Sequence, residues 1–88
     1  MEYFAANWKL HKNPSATREF LTGLKGLKLA NDARRLIVFP PATSLESTAE
    51  VLKGSDVQWG AQNAFSEAKG AFTGEISADV LKELGAQW

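Results

Sequence analysis

Tyr3-Phe4-Ala5-Ala6-Asn7-Trp8-Lys9-Leu10 is an apolar run that breaks into the polar residues Lys9 to Asn13, just before a helical pattern begins. A run of strand length that ends this way reads as a parallel strand entering its loop. Residues i and i+2 of a strand share a face. The reading therefore puts Asn7 and Lys9 on one side and Trp8 on the other. The pair then presents an amide and an ammonium at the carboxyl end of a strand, where parallel α/β folds bind their ligands. Lysine brings a compact positive charge and asparagine an oriented donor, which suits an anion with oxygen acceptors. A surface lysine beside a strand-capping asparagine would leave the same two residues in place, so the rest of the chain has to decide.

Asn13-Pro14-Ser15 opens a helix, with Asn13 able to cap and Pro14 suited to the first helical position. Phe20, Leu21, Leu24 and Leu27 recur on one face of it, while Gly23 and Gly26 each weaken it by up to ~1 kcal/mol relative to alanine. Arg35-Leu36-Ile37-Val38-Phe39 has no polar alternation, which implies burial on both faces, and Pro40-Pro41 ends it. Thr43 or Ser44 caps a second helix carrying Leu45, Ala49 and Leu52, with Gly54 as its stop. Val57 to Ala61 reads as a third strand, with Gln62-Asn63 at its carboxyl end. The loop from Ala64 to Ile76 is long for a compact domain, which usually signals function. Ser77 caps a third helix, Ile76 staples onto Leu81, and Val80, Leu81 and Leu84 form its apolar stripe before Gly85. Ala86-Gln87-Trp88 is either the start of a fourth strand or a tail. The order β-α-β-α-β-α predicts an α/β fold with right-handed crossovers, as a single domain over residues 1–88.

Composition narrows the function. Ten basic and ten acidic residues give no net charge, so no nucleic-acid partner is expected. With no cysteine and one histidine, His11, there is no basis for a disulfide framework or a metal cluster, and no cofactor is expected. His11 is expected in an exposed loop. Trp8, Trp59 and Trp88 are expected to pack rather than stack on bases. No apolar run approaches the ~20 residues that span a membrane, and the first residues do not resemble a signal peptide. The expectation is a cytoplasmic protein.

Asn7-Trp8-Lys9 and Gly70-Ala71-Phe72-Thr73-Gly74-Glu75-Ile76-Ser77, with Ala61-Gln62-Asn63 and Leu84-Gly85-Ala86-Gln87-Trp88 in matching order and spacing, resemble triosephosphate isomerase. The resemblance implies a partial TIM-barrel-like parallel sheet, corresponding to roughly the first third of a barrel that takes ~250 residues when complete. It implies that Asn7 and Lys9 are active-site residues of a glycolytic isomerase interconverting dihydroxyacetone phosphate and glyceraldehyde 3-phosphate. Lys9 would hold the substrate anion and stabilise charge on the enediolate, and Asn7 would support the substrate oxygen site and the loop geometry. Thr73, Gly74 and Glu75 would form an interdigitating loop that braces a neighbouring subunit, with Gln62 and Asn63 in the same interface. The family's histidine and glutamate base match no residue in 1–88, and proton transfer beside a carbonyl needs such groups. This polypeptide alone is therefore expected to be inactive and to self-associate, most simply as a dimer. The alternatives are a split isomerase completed by a complementary barrel chain, which would then take triose phosphate, and a weak phosphate-binding module.

Overall fold

The computed structural model describes residues 1–88. Strands β1 (Glu2–Asn7), β2 (Arg34–Phe39) and β3 (Gln58–Trp59) lie parallel, in the order β1-β2-β3. The register runs from Glu2 opposite Arg34 to Asn7 opposite Phe39, and then pairs Ile37 with Gln58 and Val38 with Trp59. Helix α1 (Pro14–Gly26) joins the first two strands, α2 (Leu45–Leu52) the next two, and α3 (Ala78–Leu84) follows. Trp8, Leu21, Val38, Leu45, Leu52, Val57, Trp59 and Leu81 form one core cluster. Residues from all three helices thus meet the Val38 side of the sheet, as a strand-helix repeat requires. This is the α/β, partial-barrel arrangement expected from the sequence.

Ile37 is only 3% exposed yet lies outside that cluster. Strand alternation turns it to the opposite face, with Tyr3, Ala5 and Gln58. Trp88 crosses that face. Its ring meets Tyr3 edge-on at 5.9 Å and its Nε1 donates to Gln58 Oε1 at 2.9 Å. The Gln87 N–H donates to the Trp59 carbonyl, and the Trp59 N–H to Gln87 Oε1. The last residues therefore follow the outer edge of β3 without forming a strand of their own. A Cβ on Gly60 would come within 2.6 Å of the Trp88 carbonyl oxygen and 2.8 Å of Phe39 Cε1, so this close approach requires glycine.

β1 is the sheet's edge, all six of its residues are exposed, and Phe4 stands 54% open. Beside it an apolar recess of about 470 Å3 is lined by Phe4, Ala6, Trp8, Phe20, Leu24 and Leu36 among others. Several local expectations are corrected. The buried stripe of α1 is Thr17 and Leu21 with Leu24 behind, not Phe20 and Leu27; Leu27 lies past the helix end. A polar residue could hide there because the Thr17 hydroxyl donates to Ser44 Oγ at 3.0 Å. That bond also occupies Ser44, which stands at the cap position of α2 without capping it, after a 3-10 turn at Ala42–Ser44. β3 is two residues rather than five; the Gly60 N–H to the Val38 carbonyl is its last ladder bond, and the chain then leaves the sheet. Val80 stays exposed, while Leu81 carries the packing of α3. The caps at Asn13 and Ser77 are made as expected, and Gly54 and Gly85 take left-handed φ values of 76° and 106°.

Candidate functional site

The carboxyl ends of the three strands bring Asn7, Lys9 and Gln62 together, but not as strand alternation alone would have it. β1 stops at Asn7, and Lys9 lies in the turn beyond with φ of 53°. Lys9 therefore does not share a strand face with Asn7. Instead Asn7 Oδ1 accepts the Lys9 N–H at 2.9 Å, so the asparagine side chain closes the turn that the strand cannot continue. Trp8, between them, is buried in the core.

On its other side Lys9 is held by Gln62. The Gln62 Nε2 group donates to the Lys9 carbonyl at 2.9 Å and to the Phe39 carbonyl at 2.8 Å. The Phe39 carbonyl also accepts the Trp8 N–H at 3.1 Å. The Lys9 ammonium forms no ion pair, since the chain's salt bridge joins Arg18 and Glu50 elsewhere. Lys12, also left-handed at φ 72°, has its ammonium 4.8 Å from the Phe20 ring and 5.8 Å from the Trp8 ring, a cation–π seat. The two lysines of this turn thus have different surroundings, which their sequence does not distinguish. His11 is exposed, as expected of it.

Asn63, next to Gln62, points away from this corner and donates to Glu75 Oε2 at 3.4 Å. That contact ties it to the 64–76 loop, which has structure of its own. Phe65 N–H donates to the Ile76 carbonyl at 2.7 Å, and Ala78 N–H to the Phe65 carbonyl. The Phe65 and Phe72 rings pack at 4.7 Å. Glu75 N–H closes a turn onto the Phe72 carbonyl, with Thr73 and Gly74 exposed at its tip and Gly74 at φ 89°. So Asn7, Lys9 and Gln62 are brought together, while Asn63, Thr73, Gly74 and Glu75 form a second group on the loop. Sequence reading placed Gln62 in an interface and gave no sign that its amide reaches the Lys9 backbone. A single glutamine beyond a strand has no spacing that would reveal it.

Chemically, the first group offers an unpaired positive charge on a lysine whose backbone is held by neutral amides. It can hold an anion or oppose developing negative charge. The groups bonded to it carry no titratable proton donor or acceptor. No cluster of three His, Cys, Asp or Glu side chains is placed to hold a metal ion, and no helix is long and apolar enough to cross a membrane.

Comparison with known proteins agrees with this geometry. The family model for triosephosphate isomerase matches residues 2–88. The triosephosphate isomerase of Bdellovibrio bacteriovorus is 51% identical over 86 residues, which cover 97% of this chain and 35% of that protein. The enzyme of Aquifex aeolicus is 39% identical over 84 residues, covering 96% and 34% respectively. The crystal structure of triosephosphate isomerase from Bartonella henselae superposes with a TM-score of 0.79 at 31% identity, over 96% of this chain and 33% of that one. The chain spans about a third of the length of the relatives it matches. A parallel β1-β2-β3 sheet with a lysine fixed at its carboxyl end, matched along nearly its whole length, makes the chain a member of the triosephosphate isomerase family.

Proposed function

We propose that this chain supplies the first three strand-helix units of a triosephosphate isomerase and the anion-holding corner of its active site. The observation that carries the reading is Lys9: its backbone is tied on both sides at the carboxyl end of the sheet, and its ammonium is left without a carboxylate partner. In the isomerisation of dihydroxyacetone phosphate to glyceraldehyde 3-phosphate, Lys9 holds the substrate anion and opposes charge on the enediolate. Asn7 fixes the turn. Moving the proton from carbon requires a base and an acid, and the groups at this corner are neither. They are to come from further barrel units. Thr73, Gly74 and Glu75 reach a neighbouring subunit, a reading supported by their exposure on a loop braced by Phe65 and Phe72.

The recess along β1 favours a companion reading for a polypeptide of these 88 residues. Ten apolar side chains line it, and apolar surface left in water costs ~25 cal/mol per Å2. Either complementary barrel units or a second copy cover it.

The test is a graft. This chain replaces the matching residues of the Bdellovibrio bacteriovorus enzyme, and the product is purified from a host lacking the isomerase. The expected result is a graft that turns over triose phosphate in a coupled assay, a Lys9→Ala graft that has lost the activity, and no activity for the 88 residues alone. A graft whose activity survives Lys9→Ala, or turnover by the isolated chain, would overturn the proposal.

A further inference from the structure

We propose that Gln62 is the positioning residue of Lys9: its amide holds the lysine backbone in the left-handed turn and so sets where the ammonium meets an anion. The ligand side of this statement rests on the function proposed above; the geometric side stands alone.

A left-handed φ of 53° is disfavoured for a residue with a Cβ, and it persists where surrounding bonds over-determine it. Lys9 has two such bonds. Asn7 Oδ1 holds its N–H from within the same turn, a local contact that moves with the loop. Gln62 holds its carbonyl from the segment after β3, two strands away across the sheet. Only the second bond anchors Lys9 to something outside its own loop. The same amide nitrogen reaches the Phe39 carbonyl, the last residue of β2. One side chain thus ties together the carboxyl ends of all three strands.

The chemistry of the site selects glutamine. Two carbonyls on different strands need two hydrogens from one centre, which a primary amide supplies. A glutamate of the same shape has none when ionised, and an asparagine is one methylene shorter. The ammonium sits at the end of a flexible four-carbon stem, so a change of backbone angle at Lys9 is magnified where the charge lies. Gln62 is itself exposed, so its replacement tests the tie without removing a core residue.

The experiment uses the 88-residue chain and two variants, Gln62→Glu and Gln62→Met, both of similar length and neither able to donate. The first readout is the nuclear Overhauser cross-peak between the amide and α protons of Lys9, which is strong when φ is positive. The second is the dissociation constant for inorganic phosphate, followed through the same amide. Both variants are expected to weaken the cross-peak and to raise the phosphate dissociation constant about tenfold, since small misplacements of a binding group cost of that order. In a Lys9→Ala background the Gln62 variants are expected to leave phosphate binding unchanged, because a residue acting only through Lys9 has nothing left to position. A cross-peak of undiminished strength in both variants overturns the proposal. A weakened cross-peak with phosphate binding indifferent to Lys9→Ala supports the positioning role and instead refutes the anion-binding reading.

Discussion

Replacing Trp8 by alanine should destabilise this chain by about 3 kcal/mol. Trp8 is 9% exposed, belongs to the core cluster with Leu21 and Val38, and meets Phe20 edge-on at a centroid distance of 5.5 Å. A tryptophan buries roughly 150–250 Å2, which at ~25 cal/mol per Å2 corresponds to about 4–6 kcal/mol. Aromatic-to-alanine changes in cores cost ~3–5 kcal/mol. Phe20 is half-exposed and free to lean into the gap, which argues for the lower end, about 3 kcal/mol. A chain this size holds roughly 4–13 kcal/mol in total, at ~0.05–0.15 kcal/mol per residue. The loss would therefore consume a quarter to most of the stability. Urea denaturation followed by far-ultraviolet circular dichroism measures it, at one fixed protein concentration because association shifts apparent stability. The midpoint should fall while the slope stays constant, as a stability change without a change in exposed surface requires. A midpoint indistinguishable from the parent would show that Trp8 does not anchor this corner. The Lys9 turn would then need some other support.

The other two predictions concern the helix contact and the open strand. Ser44→Ala leaves the fully buried Thr17 hydroxyl without its acceptor and should cost ~1–3 kcal/mol. Thr17→Val combined with Ser44→Ala should recover at least about 1 kcal/mol of the summed losses in a denaturation cycle, and strict additivity would mean that the two hydroxyls are not coupled. Sedimentation equilibrium at micromolar concentration should find the 88-residue chain as an oligomer, most simply a two-fold dimer covering the β1 edge; a monomer that melts cooperatively would show that the recess needs no cover.

The fold was legible because its signals are local. The apolar run Arg35–Phe39, the prolines behind it, the caps at Asn13 and Ser77 and the stop at Gly85 each act within a few residues. What failed depended on contacts made at a distance. Thr17 is a polar residue that reads as surface until Ser44, from the following segment, supplies its acceptor. β1 reads as a parallel strand, but whether an apolar strand is covered depends on what stands beside it. Its composition cannot say that it is the edge. Trp88 is similar. Its contacts with Tyr3 and Gln58 cross the sheet face and leave no periodic trace. At the site, the residue types Asn7 and Lys9 were legible and their geometry was not. Alternation holds only while the chain remains a strand, and it ends one residue before Trp8 enters the core.

The reason Lys9 leaves the strand lies in its neighbour. In a parallel ladder every second residue of an edge strand turns its N–H and carbonyl to the neighbouring strand, and in β1 the even-numbered residues do so. The ladder reaches Phe39, whose carbonyl accepts the Trp8 N–H, and there β2 runs into Pro40-Pro41. Pro41, next in the register, has no N–H to offer the Trp8 carbonyl, which accepts the His11 N–H at 3.1 Å instead and turns the chain away from β2. Within that turn the Lys9 carbonyl, like any backbone carbonyl, needs a partner from protein or water, and it takes the side chain of a residue after β3. The prolines that end the second strand thus also release the first into a turn, and the amide of Gln62 fixes the turn that results. With Trp8 held in the core on one side of that turn and the Lys9 ammonium unpaired in the turn itself, three consecutive residues close the strand, anchor it and present its charge.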